Sequence, residues 1–211
     1  MAEKLFHGVI HFKTEDFEKN KEFFQGLKEG QKPHTFYVGC SDSRIVPNLI
    51  TKTLPGELFV VRNIANIIPP YDLNDGTYKC TASILEYAVK YLEVDNILVC
   101  GHSNCGGLKA LFYPPEKLEK LPLVKKWLEL IDDVKESVIH IEDEKLREWE
   151  VEQLNVVKQL DNLLTYPFVK ERVDSGKLKL IGWYYIIETG DVYNYNFEKE
   201  EFELITKETE F

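Results

Sequence analysis

The chain has 211 residues, 44% hydrophobic and 29% charged, an ordinary globular composition that supports one substantial core. Its net charge of −10 argues against general affinity for nucleic acid or an anionic membrane surface. No apolar run approaches the ~20 residues of a membrane span, and Met1-Ala2-Glu3-Lys4 lacks the basic-then-apolar layout of a secretory signal, so a cytoplasmic protein is expected.

Residues 14–27 set Phe17, Phe23, Phe24 and Leu27 among charges, which predicts an amphipathic helix within an N-terminal helical arm over residues 1–30. Thr35-Phe36-Tyr37-Val38 is the first strand and runs into Gly39-Cys40; Leu58–Arg62 is the second, after the turn signal Leu54-Pro55-Gly56. Ile84, Leu85, Ala88, Val89 and Leu92 form a helical stripe. Asn96–Cys100 is a third strand ending at Gly101-His102, and Gly106-Gly107 opens a short helix through Leu111. Residues 116–164 are expected to be helical, with Trp127, Leu130, Ile131, Val134, Leu146 and Trp149 on an apolar face and Glu142–Glu150 solvated. Lys177–Ile187 is a late strand, turned by Thr189-Gly190-Asp191 into Val192–Phe197. The alternation predicts one α/β domain over residues 1–211, a mostly parallel central sheet flanked by helices, with an antiparallel hairpin near the C-terminus.

Two segments carry chemistry, Gly39-Cys40-Ser41-Asp42-Ser43-Arg44 and Gly101-His102-Ser103-Asn104-Cys105-Gly106-Gly107. Each follows a strand, where open α/β sheets place their ligand sites. Cys40, His102 and Cys105 offer two thiolates and an imidazole, a set suited to zinc with its fourth position open. Cys80 and Cys100 have no ligand spacing to this trio and are expected to be small buried thiols. Asp42 and Arg44 can form a bidentate charge-assisted pair that holds the carboxylate off the metal. A non-catalytic zinc protein is the alternative on these residues, although a structural site would want a fourth Cys or His.

With Pro55-Gly56-Glu57-Leu58-Phe59-Val60-Val61-Arg62-Asn63-Ile64-Ala65-Asn66 between them, the two motifs resemble the β-class carbonic anhydrases, from Gln31 to the hairpin after Lys177. The resemblance implies a homodimer or homotetramer with its active site at the subunit interface. It implies one zinc ion on Cys40, His102 and Cys105, and an Asp–Arg dyad at Asp42 and Arg44. The implied reaction is reversible hydration of CO2 to bicarbonate and a proton by attack of zinc-bound hydroxide. The plant-type branch further implies Gln31, Phe59, Ile64, Tyr87 and the backbone of Gly106 as the substrate pocket, Gln31 reaching in from the neighbouring subunit. On periodicity alone Phe59, Ile64 and Tyr87 would be core. Another branch binds bicarbonate at a Trp–Arg–Tyr grouping and swings the aspartate onto zinc. Here Tyr37 stands at the Trp position, with Arg62 and Tyr185 at the other two. The open form is therefore expected, Asp42 ligating zinc only in a closed one. Hydrolysis of COS or CS2 on the same scaffold is the nearest alternative chemistry.

Overall fold

The β-branched and aromatic runs become the strands of one sheet in the computed structural model, which describes residues 2–71 and 78–209. The strands are β1 (Thr35–Cys40), β2 (Leu58–Asn63), β3 (Asn96–His102), β4 (Lys179–Tyr185), β5 (Val192–Asn196) and β6 (Glu201–Leu204). Their order is β2-β1-β3-β4-β5-β6. The first four pair in parallel, and β5 and β6 are added antiparallel. The expected parallel core and hairpin are therefore present, extended by β6. Its four residues, Glu201-Phe202-Glu203-Leu204, are too few to stand out as a period.

The chain divides into two compact units, Met1–Lys32 and Pro33–Phe211. The first holds helix α1 (Ala2–His11), a π turn (Phe12–Asp16) and short helices at Phe17–Lys19 and Lys21–Gly26. Asn20, at φ −118° and ψ 29°, breaks the helix expected over residues 14–27. Phe12, Phe17, Phe23 and Phe24 pack ring to ring at 5.4–6.4 Å. Along α1, Leu5, Phe6, Val9 and Ile10 stay exposed.

In the second unit, α2 (Lys79–Glu86) precedes β3, α3 (Gly106–Lys109) follows it, and α4 (Glu144–Leu164) and α5 (Pro167–Asp174) precede β4. The core lies where α4 meets the sheet, with Val156, Leu160 and Leu163 against Phe36, Val38, Ile97 and Val99, all buried. Two strand glycines permit this approach. A Cβ on Gly101 would come within 2.6 Å of Val156 Cγ2, and one on Gly182 within 2.9 Å of Leu160 Cδ1.

The region expected to be helical over 116–164 is cut into Pro115–Leu118, Pro122–Leu128, Asp132–Val138 and α4. Proline enters two of these first turns, where its missing N–H costs nothing. Asp143 caps α4 by accepting the Leu146 N–H at 2.9 Å. Leu146 and Trp149 are exposed rather than core, because the buried face of α4 runs from Val151 through Val156, Leu160 and Leu163. Cys100 is buried as expected, whereas Cys80 is exposed near the start of α2. No helix among the described residues is long and apolar enough to cross a membrane.

Candidate metal centre

Adjacent parallel strands deliver the first two donors. Cys40 ends β1 and His102 ends β3, with Gly39 opposite Cys100 in the register. The third donor needs a sharp turn, supplied by Asn104 at φ 57°, a conformation Asn tolerates better than most residues. Cys105 then becomes the N-cap of α3.

The three donor atoms lie within 4.8 Å of one another, and all three residues are buried. Cys40 Sγ and Cys105 Sγ are 3.9 Å apart. Two sulfurs at about 2.3 Å from one tetrahedral zinc would be about 3.8 Å apart. His102 donates its Nδ1–H to the Ser103 carbonyl at 2.9 Å, which leaves Nε2 with a free lone pair. That nitrogen is buried without a hydrogen-bond partner, as expected of an atom that serves as a metal ligand. The contact with Cys105 holds the Cys40 thiol well below its usual range, and the same contact pushes Cys105 up. A divalent cation bound here would displace the thiol protons. The donor set fits zinc.

Asp42 is gripped from one side by Arg44. Arg44 Nε donates to Oδ1 at 2.9 Å and Nη2 to Oδ2 at 2.7 Å, while the Arg44 backbone N–H adds 3.0 Å to Oδ1. The Arg44 guanidinium holds the Asp42 carboxyl well below the usual carboxylate range. Asp42 Oδ2 lies 4.0 Å from His102 Nε2. Arg44 Nη2 also donates to the Asn104 carbonyl at 3.0 Å, tying the two motif loops together. Arg62 donates to the carbonyls of Cys40 and Asp42 at 2.8 and 2.6 Å, so its guanidinium braces the loop backbone. Tyr37 is fully buried, its ring where a Cβ on Gly39 would be, 2.5 Å from Cε1. Tyr185 is half-buried in the same cluster on that face of the sheet.

Ile64 follows β2 in a tight turn, with Ala65 and Asn66 at φ 59° and 47°. The Asn63 side chain closes this turn by pairing with both the N–H and the carbonyl of Ile67 at 2.8 Å. Gly107 lets α3 abut it: a Cβ there would meet Ile64 Cγ2 at 2.8 Å. Gly106 beside Cys105 faces open space. A cavity of about 440 Å³ adjoins the loop, lined by Ser41, Asn63, Ile64, Tyr78, Cys80 and Trp127 among others.

The structure thus gathers Cys40, His102, Cys105, Asp42, Arg44, Ile64 and Gly106 at one end of the sheet. Phe59 and Tyr87 stand apart from it. Phe59 is four residues before Asn63 on β2, about 13 Å along the strand, and its ring packs on Phe36 and Tyr87 at 6.0 and 5.8 Å. Gln31 lies in the first unit and is exposed. Sequence reasoning missed Glu152, which is 2% exposed and accepts the Cys105 N–H at 2.8 Å and the Tyr184 O–H at 2.6 Å. The available signal was its spacing from Asn155 and Gln159, one helix face shared with Val156.

Residues 35–192 match the carbonic anhydrase family. A carbonic anhydrase of Helicobacter pylori (strain J99) is 43% identical over 208 residues, 96% of this chain and 94% of that protein. Among solved structures, the β-carbonic anhydrase CcaA matches with a TM-score of 0.91 at 37% identity, over 98% of this chain and 93% of that one. One of two β-carbonic anhydrases of Sordaria macrospora, described as tetrameric, matches at 0.79 and 31% over 92% and 95%. The chain belongs to the carbonic anhydrase family, in its β class. That class consists of zinc enzymes of CO2 hydration, and Cys40, His102 and Cys105 can hold one such ion.

Proposed function

We propose that this centre is the active site for reversible hydration of CO2 to bicarbonate and a proton, with Cys40, His102 and Cys105 as zinc ligands and Asp42 and Arg44 as the orienting dyad. One observation carries the reading. Asp42 Oδ1 accepts two hydrogen bonds from Arg44, whereas Oδ2 accepts one. Oδ2 therefore keeps an acceptor site, and it is the oxygen 4.0 Å from His102 Nε2. The carboxylate is ionised and fixed, and its remaining lone pair lies beside the donor set.

Bound zinc supplies a Lewis acid that brings the pKa of water towards neutrality. The protein's part is to orient. Asp42 Oδ2 accepts the hydrogen bond of the attacking oxygen and so turns that oxygen's lone pair to the carbon of CO2. Arg44 keeps Asp42 from becoming a fourth ligand. Ile64 presents an apolar wall, and Gly106, with no side chain, leaves room for a linear substrate. The proton released on forming bicarbonate passes to solvent buffer.

Gln31, Phe59 and Tyr87 complete the pocket from a second copy, since Phe59 lies about 13 Å along β2 from its own chain's centre. A homodimer, or a tetramer of two such dimers, follows. A reducing cytoplasm suits a centre built on two thiols, and the four cysteines are all free.

Stopped-flow CO2 hydration on zinc-loaded protein, across about pH 6.5–9, tests the reading. Turnover rising smoothly with pH is expected. Asp42→Asn should keep its zinc and lose about 100-fold or more in rate. Absence of turnover with one zinc per chain confirmed would overturn the CO2 reading and redirect the assay to COS and CS2. Asp42→Asn at full activity would overturn the dyad.

A further inference from the structure

Asn104 and Cys105 share one peptide unit, and both of its polar atoms are held. Its carbonyl accepts from Arg44 Nη2 at 3.0 Å. Its N–H donates to Glu152 Oε1 at 2.8 Å. The other Glu152 oxygen accepts from the Tyr184 hydroxyl at 2.6 Å. Glu152 is 2% and Tyr184 1% exposed, so this inner part of the chain of bonds does not exchange freely with water. A continuous hydrogen-bonded path therefore runs from Asp42 through Arg44, the 104–105 peptide and Glu152 to Tyr184. Each bond polarises the next in such a path.

The location of Glu152 gives that path its reach. Along α4, Glu152, Asn155 and Gln159 lie on one face and are all buried. Asn155 donates to the Ala65 carbonyl at 2.9 Å, and Gln159 accepts the Ile68 N–H at 2.7 Å. One rigid helix thus holds the turn that carries Ile64 and the turn that carries Cys105. The peptide plane ahead of Cys105 sets where its Cα–Cβ bond points, and hence where its sulfur lies. Asn104 holds a left-handed backbone at φ 57°, so this plane needs an outside grip.

We propose that Glu152 is a positioning residue: by accepting the Cys105 N–H it fixes the 104–105 peptide, and through it both the Cys105 sulfur and the seat of Arg44. This rests on Cys105 being a zinc ligand. The role belongs to the reach of the side chain and its acceptor oxygen, not to its charge. Glutamine keeps the reach, with its oxygen on Cys105 and its amide N–H on the Tyr184 oxygen. Aspartate keeps the charge and is one methylene short.

Zinc affinity by chelator competition, together with the thiolate-to-cobalt charge-transfer band of the Co(II)-substituted protein, separates these cases. Glu152→Asp is expected to lose about 10–100-fold in zinc affinity and to shift the cobalt band. Glu152→Gln is expected to stay within a few-fold of wild type with the band unchanged. Urea unfolding of both metal-free variants shows whether any loss is merely one of folding. Equal impairment of the two variants, or a Glu152→Asp protein with wild-type affinity and band, would overturn the proposal. Wild-type protein that takes up neither ion would instead remove the metal reading on which it rests.

Discussion

Asp42 and Arg44 illustrate how much a single donor geometry matters. Arg44 meets both carboxylate oxygens in a fork and still reaches the Asn104 carbonyl. Lysine supplies the charge without the fork. Arg44→Lys should therefore lower CO2 hydration by at least about tenfold with zinc content unchanged, checked by stopped flow beside metal analysis. Cysteine environments give a second prediction. Cys80 is exposed and Cys100 buried, and burial pushes Cys100 up to about 11. In zinc-loaded protein Cys80 should react first with a thiol reagent, and Cys100 only on unfolding, as labelling with peptide mapping would show. The raised value also links to stability. An unfolded thiol ionises near pH 8.5 while folded Cys100 keeps its proton, so its contribution is complete below that pH. It is lost progressively up to about pH 11. Cys100→Ala should flatten this alkaline decline by about 3 kcal/mol at its upper end, read from urea midpoints against pH.

The elements show which physical signals a sequence carries. Strands β1, β2 and β3 are dense in β-branched and aromatic residues and end at the two motifs, so the junctions that bring Cys40 and His102 together were legible. Helix α4 was legible only as a helix. Its polar residues count as solvent-facing in any periodicity, yet Glu152, Asn155, Gln159 and Asn162 are buried because they satisfy backbone groups of distant loops. The one local hint, that Glu152, Asn155 and Gln159 share a helix face with Val156, does not identify the distant backbone groups that make their burial favourable. Phe59 illustrates the opposite case, since its distance from Cys40 follows from the strand register, which pairs Cys40 with Asn63 and Phe36 with Phe59. The cost of breaking the α4 row can be measured. Gln159→Leu would leave the Ile68 N–H and the Asn155 carbonyl oxygen of the side chain buried without their present partner. A loss of about 1–3 kcal/mol is expected for such a group, seen as a lower urea midpoint at unchanged m-value.

At the scale of the whole molecule, two surfaces ask for a partner. Helix α1 exposes Leu5, Phe6, Val9 and Ile10, the first at 74%, an apolar stripe that water disfavours. Strand β2 stands at the edge of the sheet, with Val60 exposed and a row of backbone groups free to pair. A second copy pairing along β2 would bring Phe59, on that strand, and Tyr87, whose ring packs on it, towards a neighbouring metal centre, and the α1 stripe offers it apolar area to bury. Assembly and activity are then the same equilibrium viewed twice. Leu5→Glu with Phe6→Glu, remote in sequence from every ligand, should shift sedimentation towards monomer and lower CO2 hydration while each chain keeps its zinc. The loss should shrink as protein concentration rises, because mass action restores the dimer. A variant that sediments as monomer and turns over at the wild-type rate would mean that one chain holds a complete pocket, and that Phe59 and Tyr87 belong to the core alone.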